Sequence, residues 1–180
     1  VLSDISRRSA SVVIASFNRV EPVARGLSIA VALPKGDRQK VMIDMLTQLG
    51  VSEIIPLRCE YSISKFSVNT LEKWRRVTIE SAKQSQNPFL PKIHDSIALN
   101  DLLAINGKSV LVANADGQSM LEHADDMSSL LILVGPEGGF SDSEFSLFKD
   151  LGVTSIALGG HILRTEAAAI AAAAQFNLIK

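Results

Sequence analysis

Leu131-Ile132-Leu133-Val134-Gly135-Pro136-Glu137-Gly138-Gly139-Phe140 and Ala157-Leu158-Gly159-Gly160-His161-Ile162-Leu163-Arg164-Thr165-Glu166 are the two stretches whose reading decides the fold. Each begins as an apolar run of strand length, breaks at glycines and leads into a helix. After the first, Ser141 and Glu144 have the spacing of a capping box, and Phe140 and Phe145 that of a hydrophobic staple. This predicts a helix over 142–151 that stops at Gly152. After the second, Thr165 is the expected cap of an alanine-rich helix over 166–177. Two buried strands that end in glycine loops at the carboxyl edge of a parallel sheet form a ligand crevice.

Glycines let backbone amides and carbonyls approach a ligand closely, and Pro136 pre-shapes its loop. Neither loop carries the Gly-Lys-Ser/Thr ending of a triphosphate cradle, and neither matches G-x-G-x-x-G. Backbone edges among apolar side chains suit a flat, nearly neutral heterocycle. Two tight strand-to-helix turns, with glycine for steric reasons alone, would use the same residues.

Outward from these loops, strands alternate with helices. Val41, Met42, Met45, Leu46 and Leu49 recur at helical spacing. A short strand is expected over 51–57, and a long helix over 70–86 with Trp74 on its core face. A short helix over 99–105 and strands over 109–113, 130–134 and 154–158 complete a parallel α/β sheet. Upstream, 11–17 and 27–33 read as strands joined through Pro22-Val-Ala-Arg-Gly26.

The composition, with 47% hydrophobic and 21% charged residues, is that of a globular domain. No apolar run approaches the roughly 18 residues of a membrane span, and no signal peptide is expected. The lone Cys59 excludes an internal disulfide and reads as a buried structural thiol in a reducing compartment. His94, His123 and His161 have no metal-ligand spacing, so no metal is expected. Net charge is −1, yet residues 1–40 are basic through Arg7, Arg8, Arg19, Arg25, Lys35, Arg38 and Lys40. An RNA-facing side and ordinary solvated charge account for this equally well.

Val134-Gly-Pro-Glu-Gly-Gly-Phe140 followed by Leu158-Gly-x-x-Ile-Leu-Arg-Thr-Glu166 resembles the RsmE family, with further matches at Leu33-Pro-Lys-Gly-Asp37, Leu49-Gly-Val51 and Ala82-Lys-Gln-Ser85. That family methylates N3 of a uridine in small-subunit ribosomal RNA and belongs to the SPOUT, or α/β-knot, methyltransferases. The resemblance implies an α/β fold with a parallel sheet flanked by helices and a C-terminal trefoil knot. It implies a methyltransferase domain over 25–180, preceded over 1–24 by remnant strands of a PUA-like RNA-binding domain. It implies a homodimer, in the cytoplasm or an organelle matrix, with no membrane partner.

S-adenosylmethionine is the implied cofactor. Carried over by motif, its contacts are Val112, Ala113 and Asn114; Gly135, Pro136, Glu137, Gly138 and Gly139; and Leu158, Gly159, Ile162, Leu163, Arg164 and Thr165. Apolar Leu158, Ile162 and Leu163 would sandwich the adenine. Attack by uracil N3 requires loss of its proton. Arg164 would stabilise the developing anion, and Glu166 or Glu137 would accept the proton; dipole stabilisation of a helix start and bracing of a loop are the structural alternatives for the two glutamates. Charged residues usual in the family are replaced by Met45, Gln48, Asn87 and His161. These replacements keep open a catalytically weak relative acting as an RNA- or protein-binding module.

Overall fold

Leu27, Ile29 and Val31 face one side of β3 (Gly26–Ala32), while Ser28 and Ala30 face the other, and all are buried. A strand hidden on both faces is a central strand of a parallel sheet. The neighbours agree: β8 (Ser129–Val134) pairs parallel on one edge, Ile29 opposite Ile132, and β4 (Glu53–Arg58) pairs parallel on the other, Ile29 opposite Ile54. The computed structural model describes residues 2–21, 26–120 and 129–179. The Pro22–Arg25 part of the expected connection, Arg25 and His123 lie outside them.

Among the described residues the sheet has seven strands. β4 is followed at its free edge by β5 (Lys92–Ile93) and β6 (Ile97–Ala98), and β8 by β7 (Ser109–Ser119) and then β9 (Thr154–Ala157). Every pairing within it is parallel. One face carries α1 (Arg38–Gln48), α2 (Val68–Ser85) and α5 (Thr165–Leu178), through Met42, Ile43, Leu46, Trp74, Ala169, Ala173 and Phe176. The other carries α3 (Leu99–Ile105) and α4 (Asp142–Asp150), through Leu99, Leu102 and Phe148. Removing one such fully buried side chain, as in Ile132→Ala, costs about 2–5 kcal/mol.

The capping box forms as expected: Ser141 Oγ accepts from Glu144 N, and Glu144 Oε2 accepts from Ser141 N at 2.8 Å. The same carboxylate accepts from Glu60 N at 2.9 Å through Oε1, so the α4 cap also fixes the loop after β4. The Phe140 and Phe145 rings meet edge to face at 6.1 Å. Trp74 is core, its indole donating to Gln39 Oε1 at 3.2 Å.

Some elements differ from expectation. The strand expected over 11–17 is only β2 (Ala10–Val12), paired antiparallel with β1 (Leu2–Ile5) in a separate two-stranded sheet; residues 13–21 join no strand. The long helix begins two residues early because Ser67 caps it, accepting from Thr70 N. Thr165 does not cap α5: Arg164 holds that position without a side-chain bond.

β7 is longer than its apolar start suggests, and Ile156 of β9 has two register partners in it, Ala113 and Gln118. The pairing shifts register between Ala113 and Gln118, an irregularity of the kind a bulge makes. Gly117 lies within this shift, and a Cβ there would stand 2.4 Å from the Ile156 carbonyl carbon.

Candidate active site

The carboxyl ends of β8 and β9, with β7 between them, open into a cavity of about 360 Å³. β8 delivers residues 135–139, β9 delivers residues 158–165, and β7 supplies its middle. Two bonds fix the walls. Thr165 Oγ1 donates to Gly135 O at 3.1 Å, joining the two glycine loops, and Gln175 Nε2 donates to Leu158 O at 2.9 Å. Gly139 N donates to Pro136 O at 2.9 Å, closing a turn. Gly139 then sits at φ +75°, a left-handed conformation that favours glycine.

Of the cofactor residues expected from sequence, the structure brings together Ala113, Asn114, Gly135, Pro136, Glu137, Gly138, Gly139, Leu158, Gly159, Ile162, Leu163 and Thr165. Val112 is fully buried in β7 and does not reach the cavity. Arg164 is exposed and outside the lining; Glu166 is also outside the lining but largely buried, its Oε2 without a hydrogen-bond partner. The expected apolar sandwich is only partly in place: Leu158 packs against the core, but Ile162 is 90% exposed and Leu163 37%.

Sequence reasoning missed Ala115, Val134, Phe140, Phe145, His161 and Ala168 in the wall. The staple spacing placed both phenylalanines correctly along the chain but said nothing of which face they show the cavity. The glycines also do different work from one another. At Gly135 a Cβ would meet the Phe140 ring at 3.0 Å, so that glycine serves packing, whereas a Cβ at Gly159 would meet nothing within 4 Å, so the room lies there.

Charge at the site centres on Arg38, at the start of α1. Its Nη1 stands 3.5 Å from Glu137 Oε1 and 3.8 Å from Glu166 Oε2. Burial, with the nearby Glu144 charge, pushes the Cys59 thiol up to about 12, so it is no nucleophile at neutral pH. No group of three or more His, Cys, Asp or Glu that could hold a metal ion occurs among the described residues, and no helix there is long and apolar enough to cross a membrane.

The architecture is a parallel sheet with a cavity at its carboxyl edge, walled by two glycine-rich loops. The RNA methyltransferase domain family matches residues 21–177, and the chain belongs to that family. Within it, the chain is 35% identical over 184 residues to the ribosomal RNA small subunit methyltransferase E of Rickettsia conorii, covering 99% of this chain and 75% of that one. The protein of the same name from Synechocystis is 32% identical over 162 residues, 85% of this chain and 53% of its own length. The chain thus spans about half to three-quarters of such relatives. A Legionella pneumophila protein solved with bound S-adenosylmethionine superposes with a TM-score of 0.80 at 25% identity, over 86% of this chain and 66% of that one. The Neisseria gonorrhoeae methyltransferase E shares the fold with a TM-score of 0.80 at 24% identity, over the same shares.

Proposed function

We propose that this chain methylates N3 of a uridine in small-subunit ribosomal RNA, with S-adenosylmethionine held in the carboxyl-edge cavity. The observation that carries this reading is the cavity itself. Its walls are backbone turns and mostly small or apolar side chains, with Asn114, His161, Thr165 and one carboxylate, Glu137, as the polar groups, which fits a nucleoside bearing an ammonium and a sulfonium and offers no lysine or arginine for phosphates. Relatives named as small-subunit methyltransferase E supply the substrate class.

Bound S-adenosylmethionine supplies a methyl group already activated on a sulfonium. As the N3–carbon bond forms and the carbon–sulfur bond breaks, the N3 proton must pass to a base. Glu137 is the better placed carboxylate, since it lines the cavity and is about one-third exposed, while Glu166 is outside the lining and largely buried. Arg164, exposed beside the lining, is free to face O2 or O4 of the base or a phosphate.

Of the four family departures, only His161 lines the cavity. Gln48 bonds Asp44 on its own helix, Asn87 bonds Thr47 O, and Met45 is half-buried on α1. Their placement argues for the active enzyme over a binding-only relative. The double pairing of Ile156 supports the knot, exposed Ile162 and Leu178 support a homodimer, and the separate β1–β2 sheet supports a boundary near residue 25 with a PUA-like remnant before it. A ribosomal substrate fits a site of action in the cytoplasm or an organelle matrix.

The test is incubation with S-adenosylmethionine and small-subunit RNA, free and assembled, followed by nucleoside mass spectrometry. 3-Methyluridine is expected. Transfer to another atom, or none to either substrate, would overturn the reading.

A further inference from the structure

We propose that Arg38 is a positioning residue of the methyl-transfer site, the shared counter-ion that holds the Glu137 loop against the first turn of α5. The proposal rests on the reading that the cavity takes S-adenosylmethionine. Three elements meet at this guanidinium: the start of α1, the turn over 136–139 and the start of α5.

Local structure gives no reason for a cation at residue 38. Asp37 makes no side-chain cap, the first turn of α1 holds no acid, and Lys40 already adds positive charge to that end. The amino end of a helix is its positive pole, so Arg38 is locally unfavourable there. Its partners are what justify it. Glu166 Oε2 is buried with no hydrogen-bond donor, and a buried carboxylate is costly unless a cation stands near. Arg38 is the cation paired with it among the described residues, and it pairs at the same time with Glu137 in the cavity wall.

The geometry also leaves room to tighten. Separations of 3.5 and 3.8 Å are ion pairs rather than hydrogen bonds, and closure by roughly 1 Å would convert them to charge-assisted bonds. Together with the Thr165–Gly135 bond, this makes a second clasp between the glycine loop and α5, on charge rather than on a hydroxyl.

The test is calorimetric titration of S-adenosylmethionine into the chain and into Arg38→Gln, Arg38→Lys, Glu137→Gln and the Arg38→Gln/Glu137→Gln double variant. Arg38→Gln should bind about tenfold more weakly, with Arg38→Lys recovering most of the loss. The double variant should bind no more weakly than the weaker single variant, because both substitutions break one clasp. Parent-like affinity in Arg38→Gln, or additive losses in the double variant, would overturn the proposal. Should Arg38→Gln not fold, Arg38→Lys and Glu137→Gln decide the matter: parent-like affinity in Glu137→Gln would overturn it. A parent chain that binds no donor would instead remove the underlying reading, and that result is seen before any variant is compared.

Discussion

Thr165 donates its hydroxyl to the carbonyl oxygen of Gly135 at 3.1 Å, and through this bond the start of α5 is tied to the end of β8 across thirty residues of chain. Threonine at this position reads locally as a helix cap. It spends its hydroxyl on the other glycine loop, which turns a local signal into a tertiary one. Both walls of the cavity thereby share one anchor.

Thr165→Val keeps the shape and removes the hydroxyl, leaving Gly135 O without this donor. The expected cost is about 1–2 kcal/mol, read as a fall in thermal midpoint of about 2–4 °C for each kcal/mol. Donor affinity should fall as well. An unchanged midpoint and affinity would show that the bond fixes nothing.

Gly117→Ala should be far worse than its chemistry suggests, because the new methyl would stand 2.4–2.6 Å from the backbone of Ile156. The backbone cannot yield there without separating β7 from β9, and about 3 kcal/mol is expected. Gly107→Ala, where a Cβ meets nothing within 4 Å, is the control. Denaturant midpoints of the two variants check the claim.

At the amino edge of the sheet, opposite the cavity, Glu53 receives Lys108 at 2.9 Å and His94 at 3.0 Å. Partial burial pushes the Glu53 carboxyl upward. The hydrogen bond and charge of Lys108, joined by those of His94, outweigh it and hold the group below its ordinary value. A lowered folded pKa adds stability that is present above the unfolded value and lost as pH falls through the folded one. Glu53→Gln should therefore be less stable than the parent at pH 7, and the two should converge in acid. Urea midpoints across pH give the test; a difference that does not shrink in acid would contradict it.

Ile162, just before α5, and Leu178, its last residue, lie open to solvent, and such exposed apolar side chains suit burial against a second copy. Sedimentation at micromolar concentration should give about twice the monomer mass. Ile162→Asp should shift the equilibrium toward the monomer, and a parent chain that sediments as a monomer would refute the dimer.

The helix after β8 was legible because its signals are local: a capping box three residues apart and a staple between Phe140 and Phe145 both need only neighbours in sequence. The two glycine loops were legible for the same reason. The close approach of Gly117 to Ile156 was not, since Ile156 is distant in the chain and only the fold brings it onto that glycine. Arg38 was invisible as a site residue because its partners, Glu137 and Glu166, are distant in the chain and share no period with it. The strand expected over 11–17 failed on the same ground in reverse: its pattern was sufficient, but pairing needs a partner that sequence alone does not supply.

The central claim is that S-adenosylmethionine occupies the cavity at the carboxyl edge. Amide chemical-shift mapping on labelled protein tests it most directly, because a second cavity of about 470 Å³ at the amino edge, lined by Glu53, His94 and Lys108, provides an internal comparison. Titration with S-adenosylmethionine should move amides around Ala113, across Gly135–Phe140 and across Leu158–Thr165, and leave those of Glu53, His94 and Lys108 in place. Shifts confined to the amino edge, or none at millimolar ligand, would contradict the account.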